Sequence, residues 1–213
     1  MIKNKIKIIT ILFPVFLLLL ASSVPAKAQA VLVDPGAKNL AVSIRIEDSE
    51  TRESWTWDLC NDDSRFISNR EIVDRETGMV TETVEIDIKP FIEESLRAQQ
   101  KTIYSTLVDD ITIKTGLTYS YSNQLVRIYK IPGSTTNHGI YYATNRQVYW
   151  RNPGAGVGSH FSPSSNTWNK TVNSAAGGYL AACPPYSLLD CDVHITGMSG
   201  YRTISVMCSF VPV

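Results

Sequence analysis

The chain has 213 residues, with 20 basic and 20 acidic side chains, three histidines and four cysteines. This length suits one domain with a real core. A balanced charge, with no basic excess, disfavours electrostatic binding of nucleic acid as the main function.

The first residues read as an export signal. Lys3, Lys5 and Lys7 precede an apolar run from Ile8 to Leu20, and small residues follow, ending in Ala26-Lys27-Ala28. A basic head, a short apolar stretch and an A-x-A tail describe a secretory signal peptide over 1–28, leaving a single secreted or periplasmic domain over 29–213. The leader holds four of the twenty basic residues and no acidic one, so the remainder carries sixteen against twenty, a net charge of −4. No later segment is apolar enough for a transmembrane helix after leader cleavage.

Val31 to Val33 can begin a strand, turned by Asp34-Pro35-Gly36. This stretch, with Asn39-Leu40 after it, resembles the opening of periplasmic subunits of bacterial conjugation machinery. Those proteins are largely helical, so the resemblance implies neither the fold nor the function of this strand-rich chain.

Val42, Ile44 and Ile46 alternate with polar residues, as do Trp55, Trp57 and Leu59, which predicts a hairpin around Asp48 to Arg52. A third strand is expected at Ile72-Val73, turned by Glu76-Thr77-Gly78, and a fourth at Val84, Ile86 and Ile88. Next comes one principal amphipathic helix over about 90–108. Pro90 suits its first position, Glu93 and Glu94 its first turn, and Ile92, Leu96, Ile103 and Leu107 one face.

The period then returns to two. Ile111 to Tyr121 and Leu125 to Ile131 predict a long hairpin around Ser122-Asn123-Gln124, with Pro132-Gly133 stopping the second strand. A composition shift near 132 is a possible subdivision. From Ser134 to Tyr179 loops dominate, with short strands at Ile140 to Ala143 and Gln147 to Trp150. Strands at Asp192 to Thr196 and Tyr201 to Phe210 close the chain. The class is α+β, mainly antiparallel sheet.

Four cysteines in an exported chain predict a disulfide-stabilised fold using Cys60, Cys183, Cys191 and Cys208. Three connectivities are open. Cys183 with Cys191 would leave Cys60 with Cys208; alternatively, Cys191 and Cys208 lie on paired strands. No C-x-x-C occurs and the histidines lack ligand spacing, so no metal is expected.

Chemistry has few anchors. The sequence contains no nucleophile elbow, zinc-protease helix, Walker loop or calcium loop, and Gly154, Gly156 and Gly158 do not form a dinucleotide fingerprint. No cofactor is expected. His138, His160 and His194 are acid/base candidates, and His160 and His194 with Arg151 could run nuclease-like hydrolysis. The acidic pairs Asp62-Asp63 and Asp109-Asp110 read as turns. Rings are dense between Tyr119 and Trp168, and Tyr141, Tyr142, Tyr149, Trp150 and Trp168 are the candidates for stacking on a ligand. The expected function is therefore binding or adhesion towards a protein or glycan on a cell surface. A small secreted hydrolase or toxin and a structural subunit of a surface appendage are the alternatives.

Overall fold

The computed structural model describes residues 40–59, 63–102 and 109–210. The leader, the Val31 to Val33 strand, Cys60, Asp62, Ile103 and Leu107 lie outside the described residues.

Alternation of apolar and polar residues dominates the chain, and the result is two antiparallel sheets. The first has the order β2-β1-β12-β11-β7-β8, built from β1 (Leu40–Asp48), β2 (Ser54–Leu59), β7 (Tyr141–Asn152), β8 (Val157–Phe161), β11 (Tyr186–Ile195) and β12 (Arg202–Phe210). The second has the order β10-β6-β5-β4-β3, built from β3 (Phe66–Asp74), β4 (Met79–Asp87), β5 (Asp110–Ser122), β6 (Leu125–His138) and β10 (Gly177–Gly178). A further strand, β9 (Thr167–Thr171), also pairs with β6.

Both sheets contribute to one buried cluster. Ile44 and Ile46 of β1, Leu189 and Val193 of β11, and Ile204 and Val206 of β12 share it with Val84, Ile86, Ile111, Ile113 and Leu117. Inside the core, the Tyr119 hydroxyl donates to Glu82 Oε2 at 2.8 Å, and Arg70 Nη1 lies 3.4 Å from Glu82 Oε1. Burial pushes the Glu82 carboxyl up, against the pull of Tyr119 and Arg70.

The helix, α1, is shorter than its apolar spacing suggests, running Lys89–Ala98 rather than to about 108. Gln100 takes a left-handed conformation at φ 58°. The Gln100 N–H bonds the Arg97 carbonyl and the Lys101 N–H the Leu96 carbonyl, a Schellman ending that stops the helix at Ala98 with Gln99 as its cap. Pro90 occupies the second helical position, so Glu93 and Glu94 fall beyond the first turn. Phe91, Ile92, Ser95 and Leu96 face inward, and the Phe91 ring meets Trp57 edge-on at 5.2 Å.

Pro132-Gly133 does not stop β6. The β5–β6 ladder is interrupted between the pairs Thr118 with Lys130 and Thr115 with Gly133, so β5 asks for no N–H from Pro132. On its other side β6 meets β9, with Gly133 opposite Trp168. The expected loop region from Ser134 to Tyr179 likewise contains the rest of β6, all of β7, β8 and β9, and β10. Its Gly, Ser and Asn residues are divided between turns and strands, with Asn145 and Asn152 in β7 and Gly158 and Ser159 in β8.

Two of those glycines are needed for a backbone crossing. A side chain on Gly177 would overlap the Gly154-Ala155 backbone, and one on Gly154 would overlap the Gly178 carbonyl. Beside the crossing, buried Asn152 shares its Nδ2 hydrogens among the Val126 carbonyl, Ser174 Oγ and the Ala175 carbonyl. Gly177→Ala is expected to lower unfolding free energy by about 1–3 kcal/mol through overpacking. An unchanged urea midpoint would show that the crossing yields freely.

The expected disulfides are absent among the described residues: Cys183, Cys191 and Cys208 are free. Cys191 and Cys208 do lie on paired strands, but Cys191 faces Ile204 while Cys208 faces Ser187. Four residues of offset separate them by roughly 13 Å along the strands, beyond disulfide reach. Burial pushes the Cys191 thiol up to about 12 and raises that of Cys208 as well, so both stay protonated and act as small core side chains. β11 and β12 are held together by their backbone ladder and by the packing of their inner faces.

Candidate functional site

Strand alternation sorts the aromatic residues by face. On β11, Ser187, Leu189, Cys191, Val193 and Ile195 are buried, so Tyr186, Leu188, Asp190, Asp192 and His194 point outward. Tyr142 pairs with His194, and Tyr149 with Leu188. An even-numbered and an odd-numbered tyrosine of one strand thus share the outer face.

A β-bulge makes this possible. The register between β7 and β11 shifts where Gln147 faces Asp190 and Thr144 faces Asp192, leaving β7 with one extra residue. Asn145, at φ 49°, takes the left-handed turn that accommodates it. Its Nδ2 donates to Asp192 Oδ2 at 2.8 Å, while Thr203 Oγ1 donates to Asp192 Oδ1 at 2.9 Å. The bulge is thereby pinned to β11 and indirectly to β12.

The outer face consequently carries an aromatic stack at each end. At one end the Tyr142 and His194 rings lie 4.8 Å apart and 8° from parallel, with Tyr201 on the other side of the imidazole at 5.5 Å. Thr144 Oγ1 lies 3.1 Å from His194 Nε2 and orients the ring. At the other end Tyr149 and His160 stack at 5.6 Å. There Tyr149, Arg151, Ser159, His160 and Tyr186 line a shallow open groove of about 410 Å³. Between the stacks run Gln147, Leu188, Asp190 and Asp192. Burial raises the Asp190 carboxyl, against the opposing pull of Ser205 and Arg45.

Six residues of β11 separate Leu188 from His194, so the two stacks are about 20 Å apart. His160 and Arg151 line one groove, but His194 stands at the far end of the strip. His138 belongs to the second sheet, its Nδ1 2.6 Å from Asp110 Oδ1. The histidines are not gathered as an acid/base pair would require, and Arg146 Nη1 is turned to Thr135 and the Ala143 carbonyl.

Of the five rings expected to stack on a ligand, Tyr142 and Tyr149 are on the outer strip. Tyr141 is buried at 1% exposure. Trp150 packs partly against the core while contributing to the groove wall. Trp168 belongs to the second sheet and lies against the Gly133 backbone. The sequence reading missed Tyr186 and Tyr201, which complete the two ends. Their alternation with buried neighbours on β11 and at the start of β12 was the available signal.

One member of each acidic pair has a partner close by. Asp109 accepts the Ile140 N–H at 3.1 Å, and Asp63 pairs with Arg65 at 2.7 Å. Among the described residues no three His, Cys, Asp or Glu side chains converge as a metal-ligand set, and no helix is long and apolar enough to cross a membrane. Compared with protein-family models, curated proteins and solved structures, the chain matches none of them.

Proposed function

We propose that this chain is an exported binding protein, periplasmic or at the cell surface, whose outer strip on β7 and β11 takes an extended glycan. The leader supports export. The observation that carries the binding reading is the bulge at Asn145, which brings the Tyr142–His194 and Tyr149–His160 stacks to one face with polar side chains between them.

The chemistry suits a sugar polymer. Flat rings offer faces to the apolar C–H surfaces of a pyranose, and the intervening amide and carboxylates accept or donate to its hydroxyls. The strip is long and shallow rather than a deep pocket, which favours several residues of a chain over one small molecule. A hydrolytic reading has less support, since His160 and His194 are too far apart to serve one bond.

A glycan array probed with the purified protein tests this directly. Binding to one family of extended oligosaccharides is the expected result, with affinity rising with chain length until the strip is spanned. A protein inert towards all glycans, whether or not it captured a protein ligand, would remove the reading.

A further inference from the structure

The second sheet ends in an edge strand of unusual composition. β3 has β4 as its single strand neighbour among the described residues. Edge strands are ordinarily protected by charged side chains, proline, bulges or brevity, since their unpaired backbone groups template further pairing. β3 has three charged residues, Arg70, Glu71 and Asp74, and a bulge near its end, yet it runs for nine residues without proline or lysine and presents Ile67 at 68%, Ile72 at 57% and Val73 at 47% exposure. These are three of the seven large apolar side chains exposed among the described residues, all gathered on one strand.

Their positions are symmetric. Ile67 and Val73 stand three residues to either side of Arg70, the middle residue of Phe66–Asp74. We infer that β3 pairs antiparallel with β3 of a second copy about a two-fold axis at Arg70, joining the two second sheets edge to edge.

In this register Ile67 faces Val73 of the other copy, twice over, forming apolar cross-strand pairs. Asn69 faces Glu71, an amide opposite a carboxylate. On the inner face Ser68 meets Ile72, and Arg70 meets its own counterpart. Each Arg70 has Glu82 of its own chain at 3.4 Å, which holds the guanidinium towards its own sheet. A register moved by two residues places Ile67 or Val73 opposite a polar partner. The bulge in β3, between the pairs Ile72 with Val80 and Asp74 with Met79, has Val73 as its extra residue, so the two apolar pairs flank a regular centre from Ser68 to Ile72. Such an isologous contact is closed, giving a dimer and not a filament.

Light scattering on the size-fractionated protein, over a concentration series, tests the inference. The expected mass is that of two chains, and a wild type of single-chain mass at every concentration overturns it. Ile67→Lys/Val73→Lys sets lysine against lysine and is expected to halve the mass. Ile67→Lys/Val73→Glu sets lysine against glutamate and keeps two chains together. Both variants behaving alike, either way, would refute the register. The substituted side chains are exposed, so unfolding midpoints close to wild type accompany both variants. Oxidation of Ile67→Cys/Val73→Cys, in a Cys183→Ser background, gives a covalent dimer by the same register. Failure to cross-link counts against it independently of the lysine variants.

Discussion

Asp48→Ala is expected to lower unfolding free energy by about 3–5 kcal/mol, the cost of leaving a buried partner charge alone. Asp48 closes β1 with 0% exposure, and Arg202 opens β12 at 2%. Arg202 Nη2 lies 2.9 Å from Asp48 Oδ2, and Lys101 Nζ approaches the same oxygen at 3.4 Å. Asp48 Oδ1 accepts the Glu50 and Thr51 N–H groups, which shapes the turn into β2. Gln99, just past α1, accepts from Arg202 and donates to Thr51 and Glu53. One carboxylate thus joins β1, the β1–β2 turn, β12 and the end of α1.

Burial alone would raise the Asp48 carboxyl, but the Thr51 and Glu50 N–H groups and the Arg202 guanidinium reverse this and hold it at about 2, against an ordinary 3.8. A depressed acid stabilises the fold fully above its unfolded value and loses that contribution as pH falls through the folded one. The unfolding midpoints of wild type and Asp48→Asn should therefore differ most above pH of about 5 and converge towards pH of about 2. Glu82, Asp87 and Asp190 shift upward through burial and act in the opposite sense, but they are common to both proteins and cancel in the difference. A gap constant across this range would show that Asp48 is not the ionised member of the cluster.

Tyr149→Ala is expected to weaken glycan binding about tenfold, roughly 1.4 kcal/mol, and Tyr142→Ala by a similar factor. The stacks stand far enough apart that the double variant should lose about a hundredfold, the two effects adding. Trp168→Phe, on the other sheet, should leave affinity unchanged. Titration calorimetry on the best array ligand reads all four proteins. A double variant no weaker than the single ones would mean that only one stack meets the ligand. Equal loss with Trp168→Phe would instead place the binding surface on the second sheet.

Much of the architecture could be read from side-chain period alone. The strand at Val42 to Ile46, the Trp55 to Leu59 hairpin partner and the Ile111 to Tyr121 strand all alternate cleanly because one face is buried and the other is not. The same alternation erred where backbone pairing overrode composition. Pro132 reads as a strand stop, yet sits where the β5–β6 ladder is already interrupted. Ile103 and Leu107 continue the helical spacing, yet Gln100 ends the helix through a left-handed residue that glycine more often fills.

The candidate site was half visible for a related reason. Tyr142 and Tyr149 differ by an odd number of positions, and simple alternation assigns them to opposite faces. Only the extra residue at Asn145, seen once β7 is paired with β11, reverses that. Likewise Tyr141, Trp150 and Trp168 are indistinguishable in sequence from surface rings, since an aromatic side chain suits a pleated sheet on either face.

Local pattern thus determined the strand-rich class, the α-helix found among the described residues and most turns, because period, turn residues and caps act over a few neighbouring positions. Tertiary structure decided which cysteines can meet, which rings share a face and which strand is left at an edge. Those outcomes depend on register between residues distant in sequence, and one inserted residue changes the face of every side chain beyond it.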